Sequence, residues 1–282
     1  MKLPEKYDLD VNPKKIAEKT KKITERSSEA DNDTLRREIF GLIDLTTLDV
    51  GDNENKVGSM IDKINNLSQN FNDWPNVAAV CVYPAFISLI KTRLIDKNVR
   101  KASVAGSFPS SQTFLEIKLR EVEMVLDQGA DEIDIVLPLG KFYEEKYDEI
   151  FDEISSIKKI TGKKHLKVII ESGLMTDPKN IRTASFLSLE AGADFIKTST
   201  GKNGQGARPE DVMLMCECLK EFYEKTGKKC GIKPAGGISD ASTAIQYYMI
   251  VKEVMGNEWL NPGLFRIGAS RLANNLLGEN YF

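Results

Sequence analysis

The sequence predicts a parallel (β/α)8 barrel of the TIM type, carrying a short helical extension at its N-terminus. Eight short apolar runs recur at intervals of roughly 25–35 residues, the size of one strand–helix unit. Segments of helical periodicity fill the gaps between them. No G-x-G-x-x-G follows the first run, as an open dinucleotide-binding sheet would require. Together these favour a ring closed on itself over a doubly wound sheet.

Taken in order, residues 1–37 form the extension. They are dominated by charge (PKKIAEKTKKITERSSEA) and are expected to be helical and to pack weakly. The barrel is expected to occupy residues 38–282. Its strands are read at IDLTTL (43–48), AAVCVYP (78–84), KASVAGSF (101–108) and EIDIVLP (132–138). The second half supplies HLKVIIESG (165–173), DFIKTSTG (194–201), CGIKPAGG (230–237) and LFRIGAS (264–270). Between them, FLEIKLREVEMVLDQGA repeats Leu115, Leu119, Val122 and Val125 at three- and four-residue steps and stops at Gly129. RPEDVMLMCECLKEFYEKTG opens on Pro209 with acids in its first turn and ends at Gly227, the polarity of a helix.

Composition narrows the function. The chain has 282 residues, 39 Lys+Arg against 42 Asp+Glu, and a net charge of -3, so no basic field recruits nucleic acid. MKLPEKYDLD has no apolar stretch before a cleavage site, and no apolar run approaches the roughly 20 residues that span a bilayer. The expected location is the cytoplasm, with no membrane contact. The four cysteines (Cys81, Cys216, Cys218, Cys230) contain no C-x-x-C pair. A single histidine, His165, argues against a histidine-rich zinc site, so no metal and no cofactor are expected. Carbonyl chemistry in such a chain falls to an amine.

Barrel strands are covered on both faces and should read as continuous apolar runs. The residues that break this rule are Asp44, Cys81, Asp134, Glu171, Lys197, Ser199, Lys233 and Ser270. Lys197 in FIKTST and Lys233 in GIKPAGG stand out, because a buried ammonium is costly. Two lysines at matching places on adjacent strands repel each other and resist desolvation; both effects leave a neutral, nucleophilic amine. Asp134 alternates to the same strand face as Glu132, where a carboxylate beside an ammonium can shuttle protons or form a buried ion pair. Gly236, Gly237, Gly268 and Ser270 end the last two strands, where barrels often hold a phosphate; Lys202 adds charge nearby. Cys81 reads as packing or a substrate contact, and His165, at the start of its strand, as structural.

In order along the chain, IDLTTL, AAVCVYP, SVAGSFPS, GADEIDIVLP, LKVIIESG, AGADFIKTSTGK, GIKPAGG and FRIGAS resemble deoxyribose-phosphate aldolase, from about residue 40 to 275. The resemblance implies a class I aldolase that cleaves 2-deoxy-D-ribose 5-phosphate reversibly to acetaldehyde and D-glyceraldehyde 3-phosphate. It implies Lys197 as the Schiff-base lysine, Lys233 as the lysine that depresses its pKa, and Asp134 as the proton-relay acid. Asp44 and Cys81 fall on substrate-proximal positions, and Gly236, Gly237, Gly268 and Ser270 on the phosphate site. Arg271 replaces a small hydroxyl residue, and Ser107 and Ser111 stand where glycines are common. Expected partners are small phosphorylated sugars and aldehydes, with a homodimer as the assembly. Another Schiff-base sugar-phosphate aldolase, a transaldolase, and a non-catalytic sugar-phosphate-binding barrel stay open as alternatives.

Overall fold

A computed structural model describes residues 3–282. Eight strands follow one another as β1 (Ile43–Thr46), β2 (Ala79–Val82), β3 (Arg100–Val104), β4 (Glu132–Val136), β5 (His165–Ile169), β6 (Phe195–Lys197), β7 (Gly231–Lys233) and β8 (Ile267–Ala269). All are parallel and pair in chain order, and β1 also pairs with β8. Single parallel bridges, Ile232 to Phe265 and Ala235 to Gly268, complete the ring between β7 and β8. The expected (β/α)8 barrel is the observed fold. The ladders are shorter than the apolar runs, because each run continues into a loop at the C-terminal mouth. Gly236 and Gly237, at φ 86° and 76°, turn the chain out of β7.

Alternation sorts each strand into two faces. Ile133, Ile135, Leu166, Val168, Ile196 and Ile232 belong to the large core formed with the surrounding helices. Each such side chain contributes about 1.5–3 kcal/mol on burial. The inner face is divided: Ala79 and Cys81 of β2 and Ala102 and Val104 of β3 form a small apolar cluster with Leu48. The rest of the interior, from β4 round to β1, carries the buried charges Glu132, Asp134, Lys167, Lys197, Lys233, Arg266 and Asp44, with the Phe195 ring against Lys167 and Arg266. No helix among the described residues is long and apolar enough to cross a membrane.

The expectation that the N-terminal segment packs weakly is corrected. The helix Pro13–Thr24 buries Ile16, Thr20 and Ile23, one stripe at helical spacing, against the helices Pro209–Thr226 and Ala241–Met255. Its charge is the solvated face. Asn12 caps it by accepting from Lys15 N at 3.1 Å, and Tyr7 stacks on Phe186 with centroids 3.9 Å apart.

The loop after β3 explains two departures from the resemblance. Ser107 (φ 63°) and Ser111 (φ 58°) both adopt the left-handed conformation that glycine takes most easily. Local bonds offset the cost: Ser107 N donates to Glu121 Oε2 at 2.9 Å, and Ser111 Oγ accepts from buried Lys118 at 2.8 Å.

Candidate active site

A cavity of about 600 Å³ opens at the C-terminal mouth. Lys197, the last residue of β6, lies at its base, 3% exposed. Of the residues singled out in the sequence, Lys202, Gly236, Gly237, Gly268 and Ser270 also line it. Asp44, Cys81, Asp134 and Lys233 are not on its lining; each is 0% exposed and lies in the barrel interior. A second cavity of about 780 Å³, lined by His165 and Arg266 among others, contains none of the residues singled out as catalytic or substrate-binding. His165 starts β5, as expected of a residue at the barrel's base.

Register places Lys197 directly beside Lys233. Both ammonium nitrogens are 2.8 Å from the same oxygen, Asp134 Oδ2. Lys233 has a second carboxylate, with Asp44 Oδ2 at 2.5 Å, an ion pair without hydrogen-bond geometry. Lys197 has no carboxylate of its own. The electrostatics separate the two amines accordingly. Burial lowers the Lys197 pKa and the Lys233 charge lowers it further, while Asp134 only partly opposes them. Burial also works against the Lys233 ammonium, but Asp134 and Asp44 outweigh it and its pKa is raised. Asp134, despite burial, is held well below the ordinary carboxylate range by Lys167, Lys197 and Lys233. Burial raises the Cys81 thiol, which suits packing rather than nucleophilic chemistry.

The loops above are tied down locally. Thr198 Oγ1 donates to Ala235 O at 3.0 Å and accepts from Ala235 N at 2.9 Å, which joins the ends of β6 and β7 just beyond the two lysines. Glu171 accepts from Thr200 N at 3.0 Å, Thr200 Oγ1 at 2.7 Å and Asn203 Nδ2 at 3.0 Å, fixing the turn that carries Lys202. Lys202 Nζ donates to Leu48 O. Gly268 is required by packing: a Cβ there would lie 2.9 Å from Ala235 Cβ and 3.1 Å from Lys233 Cε. Ser270 and Arg271 are exposed at the rim, and Phe282 borders the cavity. Tyr281 donates its hydroxyl to Lys63 O at 2.9 Å.

Three interior residues escaped the sequence reading: Lys167 on β5, Glu132 on β4 and Arg266 just before β8. Lys167 Nζ lies 2.5 Å from Glu132 Oε2 and 3.0 Å from Asp134 Oδ1. Arg266 reaches Asp44 Oδ1 at 2.6 Å and Glu132 Oε1 at 2.8 Å. Lysine and arginine inside apolar runs were the available signal.

Fold and site together define a barrel enzyme with a buried amine at the C-terminal mouth. Residues 42–257 match the family described as DeoC/LacD family aldolase. A Caenorhabditis elegans protein named as a deoxyribose-phosphate aldolase is 40% identical over 273 residues, 95% of this chain and 89% of that protein. Human deoxyribose-phosphate aldolase is 40% identical over 206 residues, 72% of this chain and 65% of the human protein. Among solved structures, an aldolase designated QR15 is 30% identical with a TM-score of 0.69, covering 85% of this chain and 95% of that one. The deoxyribose phosphate aldolase of Aeropyrum pernix, described as tetrameric, shares the fold at TM-score 0.69 and 24% identity, over 91% of this chain and 96% of that one. The chain belongs to the DeoC/LacD family of aldolases, and is thereby a class I aldolase and a lyase.

Proposed function

We propose that the chain cleaves 2-deoxy-D-ribose 5-phosphate reversibly to acetaldehyde and D-glyceraldehyde 3-phosphate, with Lys197 as the Schiff-base amine. The observation that carries this is that Lys197 alone of the buried lysines borders the cavity, and it shares its single carboxylate oxygen with Lys233. Neutral Lys197 adds to the C1 aldehyde; loss of water leaves an iminium, which accepts the electron pair as the C2–C3 bond breaks. The C3 hydroxyl gives up its proton and the glyceraldehyde phosphate leaves. The enamine carbon is then protonated, and hydrolysis releases acetaldehyde and the free lysine. Asp134, hydrogen-bonded to Lys197 and Lys233, is the proton-relay acid in this reading, and Lys233 keeps Lys197 uncharged. Gly236, Gly237, Gly268, Ser270 and Lys202 hold the phosphate at the rim, so binding energy remote from the reacting bond orients it. Asp44 and Cys81 act from beneath the floor.

Borohydride reduction in the presence of substrate, followed by peptide mapping, tests the assignment. A covalent adduct at Lys197 and its loss in Lys197→Leu are expected; an adduct at another lysine, or none, overturns it. The same reading makes residues 38–282 the catalytic domain and places the protein in the cytoplasm as a homodimer. Phe114, Ile117 and Met124, exposed along one helix, support self-association. Sedimentation of a monomer at micromolar concentration would refute the dimer.

A further inference from the structure

Six buried charges inside the barrel form a closed ring of alternating sign. Starting at Arg266, the ring runs to Glu132 at 2.8 Å, Lys167 at 2.5 Å and Asp134 at 3.0 Å. It continues to Lys233 at 2.8 Å and Asp44 at 2.5 Å, and returns to Arg266 at 2.6 Å. Three cations face three carboxylates, none more than 2% exposed, so the ring is electrically neutral by itself. Lys197 is the seventh ionisable group, attached to the ring only through Asp134. A proton on Lys197 would give this low-permittivity interior a net positive charge that no further carboxylate balances, a state that burial disfavours.

We propose that Glu132 and Arg266 are positioning residues for catalysis: by closing this ring, they fix its charge at zero and leave Lys197 as the one surplus amine. Arg266 suits the far side of the ring because a guanidinium keeps its proton at any working pH. The alternation holds Lys167 and Lys233 as ammonium ions and the three acids as carboxylates, so Lys197 is the group left to vary. The groups facing the ring from outside it are Cys81 on β2, and His165 on β5, whose Nδ1 is 3.3 Å from Glu132 Oε1. The inference deepens the proposed function and rests on Lys197 being the reactive amine.

The test is the pH profile of kcat/KM, whose acid limb reports deprotonation of the reactive amine in the free enzyme. Arg266→Met leaves the ring with an excess negative charge, which a proton on Lys197 would balance, so the acid limb moves up by about one pH unit. Glu132→Gln leaves an excess positive charge, and the limb moves down. The double variant Arg266→Met/Glu132→Gln removes one charge of each sign and returns the limb to the wild-type position, while Arg266→Lys retains it. A residue with a merely structural role would lower activity without these opposed shifts and their cancellation. If Arg266→Met does not fold, Glu132→Gln and the double variant still decide. A limb that stays in place in Glu132→Gln, or a double variant displaced like a single one, overturns the inference. Borohydride mapping on wild type keeps the two ideas apart. No adduct at Lys197 defeats the Schiff-base assignment; an adduct at Lys197 with stationary limbs defeats the ring alone.

Discussion

Replacing Lys233 by leucine removes the ammonium that competes with Lys197 for Asp134. Each nitrogen is 2.8 Å from Asp134 Oδ2, so the two are at most 5.6 Å apart, twice that distance. At an effective permittivity of about 20, two unit charges so placed repel by about 3 kcal/mol, equivalent to about two pKa units. Both side chains are fully or almost fully buried, so solvent screens little of this. Without Lys233, Asp134 is also free to stabilise the Lys197 ammonium, which acts in the same direction. The sign follows: raising the Lys197 pKa shrinks its neutral fraction, and the acid limb of kcat/KM moves upward by about two pH units. On that limb the rate falls about 100-fold, and raising the pH recovers it. The assay is the initial rate of aldehyde release from 2-deoxyribose 5-phosphate, from about pH 5 to about pH 10, with circular dichroism to confirm folding. A folded Lys233→Leu protein whose limb coincides with wild type would refute the argument that charge repulsion activates Lys197.

Two further predictions concern stability. Ser107→Gly relieves a left-handed serine whose loop bond is made by the backbone N–H and survives the change; it should stabilise the fold by about 1 kcal/mol, less any entropy gained by the unfolded glycine. A lowered denaturation midpoint would show that the serine is not strained. Asp44, Glu132 and Asp134 all have folded pKa values below their ordinary ones. Their stabilisation is therefore fully present above the unfolded carboxylate range and is lost as pH falls through the depressed values. Calorimetry should show a thermal midpoint that drops below about pH 4 and drops less steeply in Asp134→Asn. A midpoint unchanged to about pH 2 would contradict this.

The fold was legible because period and spacing are local signals: eight apolar runs can be counted without knowing where each strand begins. Lys197 and Lys233 were legible for a related reason. Both end their strands, so equal distance from a strand end made them neighbours. Lys167, at the centre of β5, was missed because attention to strand ends picks out Lys197 and Lys233 and passes over the middle of a strand. It stands level with Asp134 at the centre of β4, but that pairing depends on the register between two strands, which one sequence does not state. Arg266 lies one residue before its ladder and was hidden likewise. The substrate-proximal placing of Asp44 and Cys81 came from the resemblance; depth beneath a cavity floor is a property of packing that no motif spells out. In the N-terminal segment, the buried stripe that anchors Pro13–Thr24 (Ile16, Thr20 and Ile23) was outnumbered by lysines, so charge obscured a seam one residue wide.

The partition of the strands into an oily outside and an inside that is charged over much of its girth has a practical consequence for anyone altering this protein. Residues such as Ile133, Ile135 and Val168 can be exchanged for other aliphatics to tune thermal tolerance, since they belong to the apolar core formed with the helices. Substitutions of the ionised residues in the lumen belong to a different category: each one changes a count of charges, and its effect reaches the reacting amine however far it lies from the mouth. Random mutagenesis should therefore yield two separable populations, one shifting only melting behaviour and the other displacing the optimum pH.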